Sequence, residues 1–266
     1  MAKMRVPLIL NKRFGTYPML VHASGKSEQL PLWPSVLRAS EEWRIDTRVD
    51  PNLSIITFNN GGQINHEDKR LGLFEENLRR NGVSDVTVLG SGITDWKNNL
   101  KIKLLIDHLA AGKAKDYVLL ADSADVILAN DLGPIVETFK TFGCRALFNA
   151  ERRNWPADLP PFEQDVAPGE LFPFLNSGVW VAEASFAREI AEYCAGLTIE
   201  KHGKSDQARY KIAYRHFYPM MRVDHHCVLF QNINRVDTDI VELCERDAPA
   251  PERPTWTKHL SRLVGR

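Results

Sequence analysis

"YVLLADSADVILAND", residues 117 to 131, runs apolar residues straight into Asp122 and Asp125 and then returns to apolar ones. A continuous run of β-formers such as Tyr117 to Leu120, ending in polar residues, fits a strand of a parallel sheet covered on both faces. Acids at the end of such a strand stand where open α/β sheets bind ligands. Two carboxylates there can take a divalent cation between them, because hard oxygen ligands suit magnesium or manganese, and such ions usually also bind phosphates. Asp-x-x-Asp is equally a common surface pattern, so the surrounding sequence has to decide.

On either side, strand and helix patterns alternate. "LSIITFNNGG" (53 to 62) reads as a strand ending in a polar turn, followed by a helix in "HEDKRLGLFEENLRRNG" with Leu71, Phe74 and Leu78 on one face and Gly82 as its stop. "VSDVTVLGSG" (83 to 92) reads as a second strand, and "NNLKIKLLIDHLAAG" as a helix with Leu100, Leu104, Leu105 and Leu109 as its buried stripe. After the opening stretch come a short helix in "GPIVETFKTFG", a strand at 144 to 151, and a proline-rich excursion, "RNWPADLPPFEQDVAPGELFP", that cannot stay regular for long. "FLNSGVWVAEA" reads as a strand interrupted by Asn176-Ser177-Gly178, residues 185 to 195 and 205 to 217 as helices, and "HHCVLFQNIN" as a closing strand. Alternating segments of this kind predict a single α/β domain built on a mainly parallel, Rossmann-like sheet flanked by helices, with right-handed crossovers. The first 50 residues fit that plan poorly, beyond a short strand in "TYPMLVHASGKS" and a helix in "PSVLRASEEW", and "ERDAPAPERP" (245 to 254) has linker composition.

A chain of 266 residues, 44% hydrophobic and 26% charged, is an ordinary globular sequence with enough material for a sizeable core. Lysine plus arginine balance aspartate plus glutamate at 34 each, so the net charge offers no reason to expect a polyanion as partner. Both ends are nevertheless basic, "MAKMRVPLILNKR" and "RPTWTKHLSRLVGR", and would form one basic patch if they lay together; merely solvated terminal charges are the alternative. Cys144, Cys194, Cys227 and Cys244 form no CxxC pair, which argues against zinc and for reduced thiols. The absence of an 18-residue apolar run or a signal-like N-terminus leads to the expectation of a cytoplasmic protein without a membrane partner.

Other residues ask for the same explanation as the aspartates. Asn176-Ser177-Gly178 puts two hydrogen-bonding side chains and a glycine inside an apolar strand, where glycine often marks close approach of a ligand or backbone. Ser205-Asp206-Gln207 opens a helix, and N-capping alone would account for the serine. His22 precedes Ala-Ser-Gly-Lys, a turn able to hold an imidazole on a metal and Lys26 on phosphate, although a lone histidine is more often structural. Trp155 either stacks on a ring or plugs the core.

Taken in order, "VLLADSADVILA", "FNAERRNWPAD", "FLNSGVWVAEA", "SDQARYKIAY" and "VDHHCVLFQNIN" resemble the glycosyltransferase domain of the procollagen lysyl hydroxylase family. The resemblance covers about residues 50 to 245. It implies a GT-A fold, a UDP-glucose or UDP-galactose donor, and a manganese or magnesium ion held by Asp122 and Asp125. It also places Lys101 on the donor phosphates and Asp206 and Gln207 near the transferred sugar; Thr57, Trp155, Asn176, Ser177 and Gly178 are further candidates for the donor side. The family ends in a Pro-x-x-x-His-Gly-Asn-Gly motif. Here Pro18, His22, Gly25 and Lys26 match it from the opposite end of the chain, with Ala23 and Ser24 replacing Gly-Asn.

A circular permutation would explain that, with His22 completing the metal site. The chain then divides into an N-terminal segment (1–50) carrying this motif, a core (51–245) and a basic tail (246–266). Ser205 replaces the family's first aspartate, and Ala124 an aromatic residue that would face the base or ribose. The sequence leaves open whether the sugar's configuration inverts or is retained; an inverting route needs a general base, with Asp206 the first choice and Glu151 the second. The acceptor is a hydroxyl on a macromolecule: a hydroxylysine-type protein side chain, or a hydroxymethylated pyrimidine flipped out of DNA, with the basic ends and Arg152-Arg153 on phosphates. The alternative is a nucleotide-sugar-binding module that has lost catalysis.

Overall fold

A computed structural model describes residues 7–62, 69–162 and 164–244. The N-terminal residues are built into the molecule rather than appended to it. They form short strands β1 (Ile9–Asn11) and β2 (Leu20–His22), then α1 (Trp33–Glu42), whose Pro34 lies in the first turn, where a missing N–H costs nothing. The alternating part follows as β3 (Leu53–Phe58), α2 (Leu73–Arg80), β4 (Val86–Leu89), α3 (Leu100–Ala110), β5 (Tyr117–Asp122) and β6 (Val126–Leu128). It continues as α4 (Ile135–Lys140), β7 (Ala146–Glu151), β8 (Phe174–Glu183), α5 (Ala184–Gly196), α6 (Asp206–Phe217), β9 (Met221–Val223), β10 (Phe230–Asn232) and β11 (Val241–Leu243).

The main sheet has six strands in the order β4-β3-β5-β8-β7-β9. β3 runs parallel to β4 and β5, and β7 parallel to β9, while β8 lies antiparallel to both β5 and β7. The sheet is thus mainly parallel, as expected, with one reversed strand at its centre. A second sheet, β10-β2-β6, inserts an N-terminal strand between two elements from far along the chain, and β1 pairs with β11. Lys12 and Glu242 are 3.4 Å apart across that pair, so the two ends of the described chain are neighbours. The flanking basic runs at 1–6 and 245–266, and the linker-like "ERDAPAPERP", lie outside the described residues.

Several local expectations are corrected. α2 starts at Leu73, because Gly72 takes φ 91 just before it, so Leu71 stays outside while Leu73, Phe74 and Leu78 are buried. α3 buries Ile102, Leu105 and Leu109, leaving Leu100 and Leu104 half-buried, since the helix is turned toward α5 and α6. β8 is continuous through Asn176-Ser177-Gly178; what breaks is its register against β7, which shifts after Phe148 so that Asn149 faces Asn176. Only Phe230–Asn232 of the closing segment is strand. The residues before it instead wrap the Asp224 carboxylate, which accepts hydrogen bonds from the backbone N–H of Val228, Leu229 and Phe230. The proline-rich excursion is pinned by Asp165, which accepts from Tyr214 of α6, Arg222 of β9 and His225.

Phe148 and Trp180 stack across β7 and β8 at 4.6 Å between centroids and 10° between planes, both buried. Truncating Trp180 to alanine removes this contact and leaves a void that neighbours on two strands cannot close. Trp180→Ala is expected to cost about 3–5 kcal/mol in urea unfolding, as for other buried aromatic truncations.

Candidate metal and donor site

The turn after β5 decides the geometry. Ser123 is clamped by the start of α2: its carbonyl accepts from Phe74 N–H, and its hydroxyl accepts from Gly72 N–H and donates to Glu75. With Ser123 fixed, Asp122 and Asp125 are presented on the side away from α2. β6 then pairs antiparallel with β2, setting His22 opposite Val126, while Ala23 N–H donates to the Asp125 carbonyl. His22, Asp122 and Asp125 each offer a ligand atom, and these atoms lie within 4.8 Å of one another.

The motif Asn176-Ser177-Gly178 serves this histidine. Asn176 Oδ1 already accepts from Gly178 N–H at 2.9 Å, so it also accepts from His22 Nδ1–H at 2.9 Å. The other ring nitrogen, Nε2, is left facing Asp125 Oδ1 at 3.4 Å. Gly178 supplies the space, because a Cβ there would stand 2.0 Å from His22 Cε1 and 2.5 Å from Nε2. Asn176 and Gly178, expected on the donor side, both seat the imidazole. Burial alone would lower the His22 pKa, but the Asp125 carboxylate outweighs it and raises it. Asp125 is itself held well below the usual range, since His22 and Lys69 overcome its burial.

Beside this cluster, Lys101 in the first turn of α3 bridges Asp122 Oδ1 at 2.5 Å and Asp206 Oδ2 at 3.4 Å. These acids outweigh its burial and keep the ammonium charged. Ser205 caps α6 by accepting from Ala208 N–H, which frees Asp206 and Gln207 to point into the site. Gln207 Nε2 donates to Glu151 Oε1 at 2.6 Å and to the Trp155 carbonyl at 2.7 Å, and its Oε1 accepts from Ser177 N–H. Glu151 is 3% exposed, and burial pushes its carboxyl up to about 7 despite the Gln207 hydrogen bond and nearby Lys211.

Trp155 is 49% exposed, edge-on to His202, so it does not plug the core. Thr57 is fully buried and its hydroxyl donates to the Ala121 carbonyl, tying β3 to β5. Lys26 is exposed on the loop after β2. Three residues the motifs did not single out stand in the site: Lys69, 2.8 Å from Asp125; Ser24, whose hydroxyl donates to Glu151; and Asn232, whose amide donates to Ser24. Asn232 lay in plain view within "FQNIN", whereas nothing about Lys69 in the sequence points to Asp125.

The donor set fits a divalent cation. It combines hard carboxylate oxygens with an imidazole whose remote nitrogen is fixed by a neighbour, the usual arrangement behind a metal-ligating histidine. Burial and the nearby Asp125 push Asp122 up, a penalty that a cation would relieve. Fold and site together define a GT-A-like α/β domain with a candidate metal centre at the end of its β5 strand. Residues 66–261 match the PLOD GT domain, and the chain belongs to that family of glycosyltransferase domains.

A Drosophila melanogaster protein named procollagen-lysine,2-oxoglutarate 5-dioxygenase is 34% identical over 110 residues, covering 38% of this chain and 15% of that protein. The chain thus corresponds to a small part of that relative. Among solved structures, a putative glucose-1-phosphate thymidylyltransferase from Bacillus anthracis, in complex with a sucrose, aligns at a TM-score of 0.40. Its identity is 11%, over 65% of this chain and 86% of its own.

Gly178→Ala is expected to drive His22 out of place and weaken binding of a divalent cation at the candidate centre about 10- to 100-fold in a titration, the usual effect of losing the support of a metal-ligating histidine. Glu151 gives a pH signature. Its folded pKa lies above its ordinary 4.5, so the stability it contributes is complete below 4.5 and lost as pH rises through about 7. Urea unfolding across that window should show the wild type losing more stability with rising pH than Glu151→Gln.

Proposed function

We propose that this glycosyltransferase domain is metal-dependent and moves a hexose, glucose or galactose, from a UDP-sugar to a hydroxyl group. The observation that carries the reading is the cluster of His22, Asp122 and Asp125, assembled from β2 and the β5–β6 turn and braced by Asn176 and Gly178. When bound, a manganese or magnesium ion there supplies charge for the leaving diphosphate, which lowers the barrier to breaking the bond at the anomeric carbon.

The chain's own residues do the rest. Lys101, held charged between Asp122 and Asp206, is placed to add a second positive charge on the phosphates, with Lys26 on the exposed loop beyond. Gln207 links Ser177, Glu151 and the Trp155 backbone, so it orders the pocket in which the sugar and acceptor meet. For an inverting transfer, Glu151 is the better proton acceptor of the two candidate bases. Asp206 is engaged by Lys101 and Ser177, whereas the Glu151 value of about 7 suits taking a proton from a hydroxyl near neutral pH. Trp155, exposed beside it, offers a face for a sugar ring.

For the acceptor, a hydroxylysine-type protein side chain is favoured over DNA. The curated relative is named for procollagen lysine. Arg152 and Arg153, the expected phosphate contacts, are instead hydrogen-bonded to the Arg235 carbonyl and to Gln29. The permuted origin of the N-terminal motif is supported by the adjacency of β1 and β11 and by the central place of β2.

The test offers labelled UDP-glucose or UDP-galactose with manganese to a hydroxylysine peptide and, in parallel, to hydroxymethylcytosine DNA. Label is expected on the peptide, with Asp122→Asn and Asp125→Asn reducing transfer by at least about 100-fold, as for loss of a principal electrostatic group. Label on DNA alone would reverse the acceptor assignment. UDP release that is absent in the wild type would overturn the enzyme reading in favour of a binding module.

A further inference from the structure

Lys69 is the cation in this site that no motif accounts for. Its Nζ donates to Asp125 Oδ2 at 2.8 Å, and its side chain is only 8% exposed. Asp125 Oδ1 faces His22 Nε2, so both oxygens of that carboxylate are engaged. Lys101 occupies a different position, on Asp122 and Asp206, the flank toward α6. The two lysines thus divide the acids between them, with Lys69 standing against a carboxylate the metal would need.

We propose that Lys69 is an internal stand-in for the metal: it neutralises Asp125 in the metal-free protein, is displaced when a divalent cation binds, and then pairs with the donor diphosphate. The inference rests on the metal-dependent, UDP-sugar reading above. A buried carboxylate without a counter-charge is strongly unfavourable, so the metal-free site needs an ammonium there. The same physics governs the displaced lysine. Once the cation takes Asp125, a largely buried ammonium requires another anion, and the diphosphate is the one that arrives with the substrate. Metal and nucleotide therefore bind cooperatively: the metal alone has to break an ion pair, and the nucleotide restores one.

This predicts effects of opposite sign from one substitution, which a purely structural salt bridge does not produce. In calorimetric titrations of the full chain, Lys69→Met should bind Mn2+ alone about tenfold more tightly than wild type. It should bind UDP in saturating Mn2+ about tenfold more weakly, a coupling of ordinary size between linked sites. Lys69→Arg, which keeps the charge, should stay close to wild type in both, showing that neither effect comes from misfolding. Unchanged affinities in Lys69→Met, or weaker binding of Mn2+ alone, would overturn the proposal while leaving the metal-dependent reading intact. A wild type that binds no Mn2+ even with UDP would overturn that reading, and this inference with it.

Discussion

Burial of charge at the end of β5 is the constraint on which the rest of this structure depends. His22 and Asp125 are 4% and 8% exposed, and Asp206 and Glu151 are buried beside them. Acids so placed are tolerated only where cations and hydrogen-bond donors surround them. Nearly every irregular feature nearby meets that demand. The Ser123 clamp aims the two aspartates, Lys101 and Lys69 neutralise them, and Ser205 caps α6 with its own hydroxyl so that the next two side chains are free for the site.

The reversed strand β8 makes the convergence possible. Running antiparallel between β5 and β7, it carries Asn176, Ser177 and Gly178 past the end of β5, where its register against β7 shifts and Asn176 and Gly178 meet His22 of β2. His22 then arrives from a separate sheet, through pairing of β2 with β6 and β10. The imidazole fits only because residue 178 has no side chain, so a strand glycine that adds nothing to the core sets the position of a histidine on another element.

The charge pattern also separates the roles of similar groups. Glu151 sits in a buried pocket with a neutral amide as its close partner and is pushed up to about 7. Asp125, nearly as buried, is pulled down because two cationic partners touch it. Two carboxylates in one cleft are thereby set far apart in acidity.

Much of this was legible in the residues alone. The buried run into Asp122 and Asp125, the alternating elements, the capping serine before Asp206-Gln207 and the order of the motifs determined the α/β class, the sheet edge that carries the site and most of its acids, because periodicity and local capping are properties of neighbouring residues. The start of α2, the buried face of α3 and the direction of β8 were not legible, since they depend on what each element packs against.

Nor could sequence place Lys69 on Asp125, show that Asn176 and Gly178 serve His22, or bring Ser24 and Asn232 beside Glu151. Those partners are far apart along the chain. Only the pairing of β2 with β6 and β10, and the close packing it enforces, decides which charges meet, because electrostatic and steric contact depend on distance in space.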